Sequence, residues 1–436
     1  MQEAQLYAMW QNLARSGQSV QTAAYRLRVI EAGQLNLHRG PDFISAVFEL
    51  NGTRITGDVE MHRHLDDWYK HQHHLDPFFK NVSLHVVLAP PMKGLQTVVT
   101  ALSERSIPSL QLDVSLLPRL FQQTHSNCKA GSSLNLAAIQ QLALERLHYK
   151  IRHFQHLLEN QPAQQIFYEY FLRILGYPVN AWSFQLLARR LPWSWLAGHW
   201  SGFWPGAELL YALYSGMAGF LPETSSDVFV RRLINQYQQF KNMLPAAPLS
   251  QAHWQFSGLR PLNHPHYRLA GWVALLCAHR QLPFDLLDQL FSARLPLKQL
   301  LARLKTFFRI KPQGYWLQHH ILGAKSTKVQ NRQFFGPARS LEIIINLLIP
   351  LFAARALTRQ SWGFFEYLRE FYLFLPLQCS YRKFKTYFKW LSLYQKRFPR
   401  QVLMQALLQL HEHYCQTNQC NFCPVQHIID NSTEFS

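Results

Sequence analysis

The chain has 436 residues, more than one domain usually contains, and this length predicts two or three domains with sizeable cores. Hydrophobic residues make up 48% of the chain, which excludes an intrinsically disordered protein. Lysine and arginine number 44 against 25 acidic residues, and a net charge of +19 predicts a polyanionic partner such as DNA or RNA. The alternative is a basic surface that only keeps the protein soluble or meets ribosomes and membranes non-specifically.

The first segment predicts a helix. MQEAQLYAMWQNL contains an acidic residue and no basic leader, so we predict no signal peptide and a cytoplasmic location. Glu3 falls in the first turn of this predicted helix. The spacing of three and four residues defines its apolar face, which consists of Leu6, Met9, Trp10 and Leu13.

Three strands, a loop or helix and a fourth strand follow. YRLRVIEAGQ alternates apolar and polar residues, and the Asn51-Gly52 pair then splits FISAVFELNGTRITGDVEMHRH into two alternating runs, which predicts a hairpin. LDDWYKHQHHLDPFFKN predicts helix or loop, and SLHVVLA predicts a short strand. We therefore assign residues 1–95 to an α/β domain and residues 96–134 to a β extension and linker.

From about Asn135 the pattern becomes helical, and we predict a helical domain over 135–410 and a cysteine-rich tail over 411–436. The run LEIIINLLIPLFAARAL from Leu341 falls short of the roughly 20 apolar residues that a membrane span needs. It predicts a buried helix and no membrane partner. The fold class is therefore α+β, whereas the oligomeric state is not predicted.

Two acidic residues occur where a hairpin would place them side by side. Asp42 follows a Gly-Pro pair at the start of the second predicted strand, and Glu60 lies in the third, two residues before His62. Adjacent strands would bring both carboxylates to metal-bridging distance, with the carbonyl oxygen of Met61 as a third donor. Oxygen donors suit Mg²⁺ or Mn²⁺, which polarise a phosphodiester and generate hydroxide from bound water.

This order of elements, with the Pro-Asp pair and the Glu-Met-His triplet, resembles the PD-(D/E)XK (restriction-endonuclease-like) nuclease core. The resemblance implies an αβββαβ fold, Asp42 and Glu60 as metal ligands and Glu3 as an accessory carboxylate. His62 stands where that family usually has lysine. It shares a strand face with Glu60 and is predicted to act as general base or phosphate contact.

Three functions follow from this pattern. The first is a metal-dependent nuclease, a phosphodiesterase acting on DNA or RNA. The second is a non-catalytic nucleic-acid-binding or scaffold protein that keeps the fold without cleavage. The third is a polar core in which Asp42 is a turn residue and the acids pair with arginine or histidine.

Many polar and titratable residues surround this pattern. His85 lies on the fourth predicted strand and is predicted to be a satisfied core residue. The HQHH run could bind a transition metal or be an inert surface cluster, and we rank it below His62. The whole set comprises His64, Asp66, Asp67, Trp68, His71, His73, His74, Asp76 and His85.

Phrases along the whole chain look like the bacterial family called domain of unknown function 2851. They are GPDF, GDVEMH, DDWYKHQHHLDPFFKNVSLHVVL, ALERLHYKI, RPLNHPHYRLAG, LEIIINLLIPLF and QALLQLHEHYCQTNQCNFCPV. The similarity runs from about residue 3 to 425 and implies that these segments belong to one unit. The chain departs from the family at His264, where phenylalanine is typical, and at Pro424, where glycine is typical.

Three cysteines near the C-terminus predict a local metal site. Cys415, Cys420 and Cys423 have the spacing C-x4-C-x2-C, which suits Zn²⁺ or an iron–sulfur cluster in a structural role. The alternative is three thiols that hold no metal. The candidates for a fourth ligand are His413, His427, Cys379, Cys277 and Cys128.

Basic residues alternate with aromatic ones in YRKFKTYFKWLSLYQKRFPRQ from Tyr381, which is typical of nucleic-acid binding and equally of an amphipathic helix with a solvated basic face. Arg260 and Arg268 flank the NHPHY segment and are predicted either to face the same cleft as Glu60 or to cap elements. The chain contains no GxxxxGK[ST], GxGxxG or GxSxG motif, so we predict neither nucleotide hydrolysis nor serine chemistry.

Overall fold

The structure is a computed structural model, and it describes residues 3–22, 25–36, 40–71, 73–88, 97–99, 106–112, 135–199, 206–326, 333–378, 384 and 391–415. Contacts divide the chain into two compact units, one of Met1–Tyr149 with Ser380–Ser436 and the other of Lys150–Cys379. An N-terminal sheet and a large helical region confirm the predicted α+β class. The domain boundaries predicted from sequence stay predictions.

The first unit contains several helices, a mixed sheet and short helical turns. Short 3-10 turns span His73–Leu75 and Pro77–Asn81. The helices and strands are α1 Glu3–Ser16, β1 Ser19–Gln21, β2 Arg26–Glu31, β3 Gln34–Leu35, β4 Phe43–Leu50, β5 Thr53–His62, α2 Asp67–Lys70, β6 Val82–Val87, β7 Thr97–Val99, β8 Ser106–Gln111 and α3 Leu136–Asn160. The residues of α3 from Lys150 on belong to the second unit.

Strands β1 to β8 form one sheet in the order β1-β2-β4-β5-β6-β8-β7, with β3 paired to β4. Strands β2, β4 and β5 are antiparallel neighbours, whereas β5 with β6 and β6 with β8 are parallel. The predicted hairpin is present, because β4 and β5 pair with Leu50 opposite Thr53 across Asn51 and Gly52. Both turn residues have positive φ, the conformation for which Asn-Gly is favoured.

Helix α1 packs its predicted apolar face on this sheet. Leu6, Met9, Trp10 and Leu13 are all buried, and they join the core formed by β2, β4, β5 and β6. Burying each large apolar side chain contributes roughly 1.5–3 kcal/mol. The indole Nε1 of Trp10 donates to the carbonyl oxygen of Ala32 at 2.9 Å, so this buried polar atom also has a partner.

Strand β4 contains a bulge near its start. The register with β5 shifts between Phe43 and Ala46, and Ser45 has a φ of 54°. The backbone N–H of Ser45 donates to Asp58 Oδ1 at 3.0 Å. Gly33 lies against the bulge with a φ of +79°, and a Cβ there would lie 2.6 Å from the carbonyl oxygen of Ile44. Only glycine fits this position without a shift of the backbone.

The second unit is mainly helical. Its described part also contains a small two-stranded sheet and 3-10 turns at Lys241–Met243, Gln251–His253, Pro261–Asn263 and Gly314–Leu317. The helices and strands are α4 Ala163–Leu175, α5 Tyr177–Arg190, α6 Trp193–His199, α7 Ala207–Met217, α8 Val228–Phe240, α9 Pro265–His279, α10 Pro283–Ser292, α11 Leu297–Phe307, β9 His319–Ile321, β10 Ala324–Lys325, α12 Pro337–Ile343, α13 Ile349–Thr358 and α14 Trp362–Phe374.

A single helical stretch, Pro337–Thr358, is the one part of the described chain long and apolar enough to cross a membrane. Of its most apolar window, 72% is buried inside the protein, so the predicted buried helix is confirmed. A π-helical turn, Ile344–Leu348, joins α12 to α13 just before Pro350. Proline lacks a backbone N–H, and the wider turn accommodates it. Lys150 Nζ donates to Asn346 Oδ1 in this turn at 2.8 Å.

The last described segment belongs to the first unit. It contains α15 Leu391–Arg397, α16 Gln401–Leu410 and a π-helical turn, His411–Cys415. Arg146 on α3 pairs with Glu412 at 2.7 Å. Residues 381–383 and 385–390 of the basic and aromatic segment lie outside the described residues, so the structure tests neither interpretation of it.

Candidate functional site

The sheet brings the predicted acidic residues together at one end of β5. Asp42 immediately precedes β4, and Glu60 and His62 are among the last residues of β5. Parallel pairing with β6 places Glu60 opposite His85. Because side chains alternate along a strand, Glu60 and His62 lie on the same face, as predicted.

Asp42 and Glu60 are linked by hydrogen bonds that run in both directions between their strands. The backbone N–H of Asp42 donates to Glu60 Oε2 at 3.1 Å, and the backbone N–H of Met61 donates to Asp42 Oδ2 at 2.8 Å. The hydroxyl of Tyr7 on α1 donates to Asp42 Oδ1 at 2.5 Å. Helix α1 and strand β5 therefore both hold the Asp42 carboxylate beside Glu60.

The other carboxylate oxygen of Glu60, Oε1, lies beside a group of three histidines. His62 Nε2 lies 3.3 Å from Glu60 Oε1, 3.2 Å from His71 Nδ1 and 3.2 Å from His73 Nε2. His73 Nε2 also lies 3.3 Å from Glu60 Oε1. The ligand atoms of the three histidines all lie within 4.8 Å of one another, so they could hold a metal ion. We call Glu60, His62, His71 and His73 the histidine cluster.

A buried chain of polar groups extends from the cluster into the sheet. His62 Nδ1 lies 2.9 Å from His85 Nε2, and His85 Nδ1 lies 3.0 Å from Ser109 Oγ on β8. Both ring nitrogens of His85 therefore have partners. This agrees with the prediction of a satisfied core histidine and adds a second role, because His85 fixes the ring of His62.

Burial controls the protonation of these rings. It lowers the pKa of His62 to about 2, with His85, His73 and His71 acting in the same direction. Burial also lowers the pKa of His85 to about 3 and that of His73 to about 4. All three imidazoles are therefore neutral at pH 7, the form in which a ring nitrogen can bind a metal.

Exposure differs across the cluster. Glu60 is 5% exposed and His62 is 2% exposed, whereas His73 is half-buried and His71 is exposed. The cluster is therefore enclosed on the side of the sheet and reaches solvent through the segment after β5. Trp68 and Phe79 pack against the ring of His73 and hold it from the side.

Other predicted site residues lie outside this arrangement. Glu3 is the first residue of α1, and its side chain is outside the described residues, as are Cys420 and Cys423. Cys415 ends the last described π-helical turn. Arg268 is buried and donates to Asn263 Oδ1 and to the carbonyl oxygen of Phe334, so it ties elements of the second unit together.

The sequence pattern favours His62 over His71 and His73 as a site residue, and it does not single out Tyr7. The signal for Tyr7 was available, because it lies four residues after Glu3 and therefore on the same helix face. The signal for His73 was weaker. It depends on the fold of the short helix and turns between β5 and β6, which periodicity does not define.

The arrangement offers two kinds of metal donor that share Glu60. The carboxylate oxygens of Asp42 and Glu60 suit a hard ion such as Mg²⁺ or Mn²⁺, and those of Asp42 are already oriented by N–H and O–H donors. The imidazole nitrogens on the other side of Glu60 suit transition metals. The site therefore offers, at the end of a strand, oxygen and nitrogen atoms of the kinds that can bind metal ions.

The model of the family described as "Protein of unknown function (DUF2851)" matches residues 3–376. The chain belongs to this family. The match ends before the cysteine-rich tail, whereas the similarity inferred from sequence phrases ran to about residue 425. No curated protein and no solved structure matches the chain.

Proposed function

We propose that the first unit of this protein is a metal-dependent, nuclease-like centre that acts on or binds DNA or RNA. The observation that carries the proposal is the coupling of Asp42 to Glu60. Each carboxylate accepts a backbone N–H from the other residue's strand segment, and this places two acidic side chains side by side at one strand end.

The topology around this pair supports the proposal. Helix α1 is followed by the antiparallel strands β2, β4 and β5, then by α2 and by β6 parallel to β5. Apart from the short strands β1 and β3, this order is similar to the αβββαβ order of the PD-(D/E)XK core that the sequence resembles. The bulge at Ser45 also supports it, because bulges are over-represented beside active sites.

In the proposed site, Asp42 and Glu60 hold Mg²⁺ or Mn²⁺, which when bound supplies Lewis-acid activation of a phosphodiester and of water. Tyr7 and the N–H of Met61 orient Asp42, and Glu3 is proposed as an accessory carboxylate. His62 was predicted to be a base or phosphate contact. Because its pKa is lowered to about 2, its environment favours a ligand role over a base role.

Charge supports a nucleic-acid partner. The chain carries 44 basic residues against 25 acidic ones, and Arg63 and Lys70 are exposed in the segment beside the histidine cluster. Such residues attract phosphates through a salt-dependent field. We also propose a cytoplasmic location and a structural metal, Zn²⁺ or an iron–sulfur cluster, at Cys415, Cys420 and Cys423.

The test is a cleavage panel of single- and double-stranded DNA and RNA with Mg²⁺ or Mn²⁺. Asp42→Asn and Glu60→Gln are expected to lower cleavage by at least about 100-fold, because loss of a metal ligand removes several kcal/mol of charge stabilisation. Glu49→Gln is the matched control, since Glu49 lies on β4 and pairs with Arg28 away from the site. Circular dichroism verifies that each variant is folded.

The second candidate is a non-catalytic nucleic-acid-binding protein or scaffold, and the burial of Glu60 favours it. It predicts that no substrate in the panel is cut. It also predicts that the wild type, Asp42→Asn and Glu60→Gln bind nucleic acid equally, with the same steep salt dependence. That result would reject the nuclease proposal and support a non-catalytic nucleic-acid-binding or scaffold role.

A further inference from the structure

The histidine cluster has a geometry that the proposed nuclease site does not require. We propose that His62 Nε2, His71 Nδ1, His73 Nε2 and Glu60 Oε1 form a binding site for one transition-metal ion of the zinc class. The proposal shares Glu60 with the proposed nuclease site, but it rests on the imidazoles and is independent of any nucleic-acid chemistry.

Four of the six separations between the proposed ligand atoms are close to those around a tetrahedral ion, and the ligand atoms of the three histidines all lie within 4.8 Å of one another. Nitrogen and oxygen ligands lie about 2.0–2.2 Å from Zn²⁺, so two ligands of one tetrahedral ion are about 3.3–3.6 Å apart. The separations from His62 Nε2 to its three neighbours are 3.3, 3.2 and 3.2 Å, and that from His73 Nε2 to Glu60 Oε1 is 3.3 Å. Four edges of the tetrahedron are thus already close to the required length.

Hydrogen bonds alone cannot fill every short contact around His62 Nε2 at once. His62 Nε2 has three neighbouring polar atoms at nearly equal distance, and a ring nitrogen carries at most one hydrogen. If His62 Nε2 carries a hydrogen, it can donate to one of those atoms. The other two atoms then lie close to a nitrogen that has no further hydrogen to donate. A cation at the centre would interact favourably with all four donors at once.

The chain from His62 to Ser109 has the form of an outer shell around a metal ligand. If His85 Nδ1–H donates to Ser109 Oγ, then His85 Nε2 accepts from His62 Nδ1–H, and His62 Nε2 presents a lone pair to the cluster. Metal-binding histidines characteristically donate their second N–H to such a partner, which fixes the ring and its tautomer. With the opposite tautomers, hydrogen bonds run from Ser109 Oγ–H through His85 and His62 to Glu60 Oε1. This hydrogen-bonded chain needs no metal ion.

The donor set selects the class of ion. Three imidazoles and one carboxylate suit Zn²⁺, Co²⁺, Ni²⁺ or Fe²⁺, whereas Mg²⁺ prefers six oxygen ligands and binds imidazole weakly. His71 is exposed, so an ion can reach the cluster from solvent.

The experiment measures metal binding in the full-length protein without nucleic acid. Cys415→Ser, Cys420→Ser and Cys423→Ser are combined first, so that the cysteine tail cannot supply the ion. This background protein is stripped with a chelator, loaded with Zn²⁺ or Co²⁺ and desalted, and bound metal is counted by mass spectrometry. We expect one ion per chain and, for Co²⁺, the intense visible absorption of tetrahedral coordination.

Two ligand variants and one control complete the test. His71→Ala and His73→Ala are expected to weaken Zn²⁺ affinity by more than the roughly 10–100-fold that is typical of outer-shell residues. His64→Ala is the control, because His64 is an exposed neighbour outside the cluster. Circular dichroism establishes that each variant folds.

The proposal is overturned if the background protein retains no ion, or if His71→Ala and His73→Ala, both folded, bind zinc as tightly as His64→Ala. A background protein without bound metal would mean that the histidine cluster is only part of the hydrogen-bonded chain from Ser109 to Glu60. Failure of the nuclease proposal has a different signature, because a protein that cuts nothing but binds zinc through these histidines would support the metal site alone.

Discussion

At the scale of single residues, the main departure from the PD-(D/E)XK pattern that the sequence resembles is the histidine at position 62, and it changes the chemistry of the site. Lysine at position 62 would place a permanent cation beside Glu60. His62 is neutral because burial lowers its pKa to about 2, and it brings a nitrogen with a lone pair or an N–H instead. The substitution therefore exchanges a fixed charge for a group that can bind a metal.

Strand alternation and turn chemistry predicted that Asp42, Glu60 and His62 lie close together, but they did not predict the positions of His71 and His73. The shared face of Glu60 and His62 followed from strand alternation, and the proximity of Asp42 followed from the hairpin. His71 and His73 could not be placed, because their positions depend on a four-residue helix and a 3-10 turn in which no regular period exists. These two histidines meet His62 only because of the way the segment between β5 and β6 folds.

A residue-scale prediction concerns pH and a buried histidine in the second unit. Burial lowers the pKa of His153 to about 3, with Arg173 acting in the same direction. The unfolded state, with a pKa near 6.5, binds a proton that the folded state does not, so the free energy of unfolding falls as pH drops below about 6.5 toward 3. We expect His153→Gln to make this fall shallower by about 1 kcal/mol per pH unit.

Urea unfolding of both proteins at several pH values between about 7.5 and 5 measures this slope. His156→Gln is the control, since His156 lies on the same helix with a side chain that is 36% exposed. Equal slopes for wild type and His153→Gln would show that His153 has no part in the pH dependence. A constant offset between the curves would only report lost contacts with Tyr170.

At the scale of elements, α1, the hairpin and the buried helix were predicted from sequence, because each has a strong period or a specific turn pair. The bulge at Ser45 and the π-helical turn Ile344–Leu348 were not, since both insert residues that break the period. Short strands such as β1 and β3 also escaped prediction. Two or three residues carry too little pattern to define a strand.

An element-scale prediction follows from the close approach of Gly33 to β4. We expect Gly33→Ala to destabilise the first unit by about 2–4 kcal/mol, because it combines the strain of a positive φ with a clash against the backbone of Ile44. Gly52→Ala is the matched control. Gly52 also has a positive φ, +84°, but an added Cβ would meet nothing within 4 Å, so only about 1–2 kcal/mol is expected.

Urea unfolding monitored by tryptophan fluorescence provides both values. A loss for Gly33→Ala no larger than that for Gly52→Ala would mean that β4 moves aside readily, and the bulge beside Asp42 would then be a soft feature. A clear excess would show that the start of β4 is rigid. Rigidity there matters because the bulge immediately follows Asp42.

At the scale of the whole molecule, charge makes a prediction that does not depend on catalysis. A net charge of +19 is expected to give binding to DNA or RNA whose log affinity falls linearly with log salt concentration. If about six or more phosphates are neutralised, affinity should drop by at least about 1,000-fold between about 50 and 200 mM salt. Fluorescence anisotropy with labelled oligonucleotides measures this slope.

Heparin competition and the Glu60→Gln variant serve as controls for that measurement. Heparin should compete, because the attraction depends on charge density, and Glu60→Gln should leave the slope unchanged, because Glu60 is buried. A shallow slope, or no binding at low salt, would show that the basic residues do not form a phosphate-binding surface. The predicted nucleic-acid partner would then lose its main support.

The division into units also has a consequence for the order in which the protein matures on the ribosome. Lys150–Cys379 is one uninterrupted stretch, whereas the other unit combines Met1–Tyr149 with Ser380–Ser436. Translation therefore completes the inserted unit while its host still lacks its final segment. The unit that begins first is the last to have all its parts, and during synthesis its unfinished surface is what chaperones would encounter.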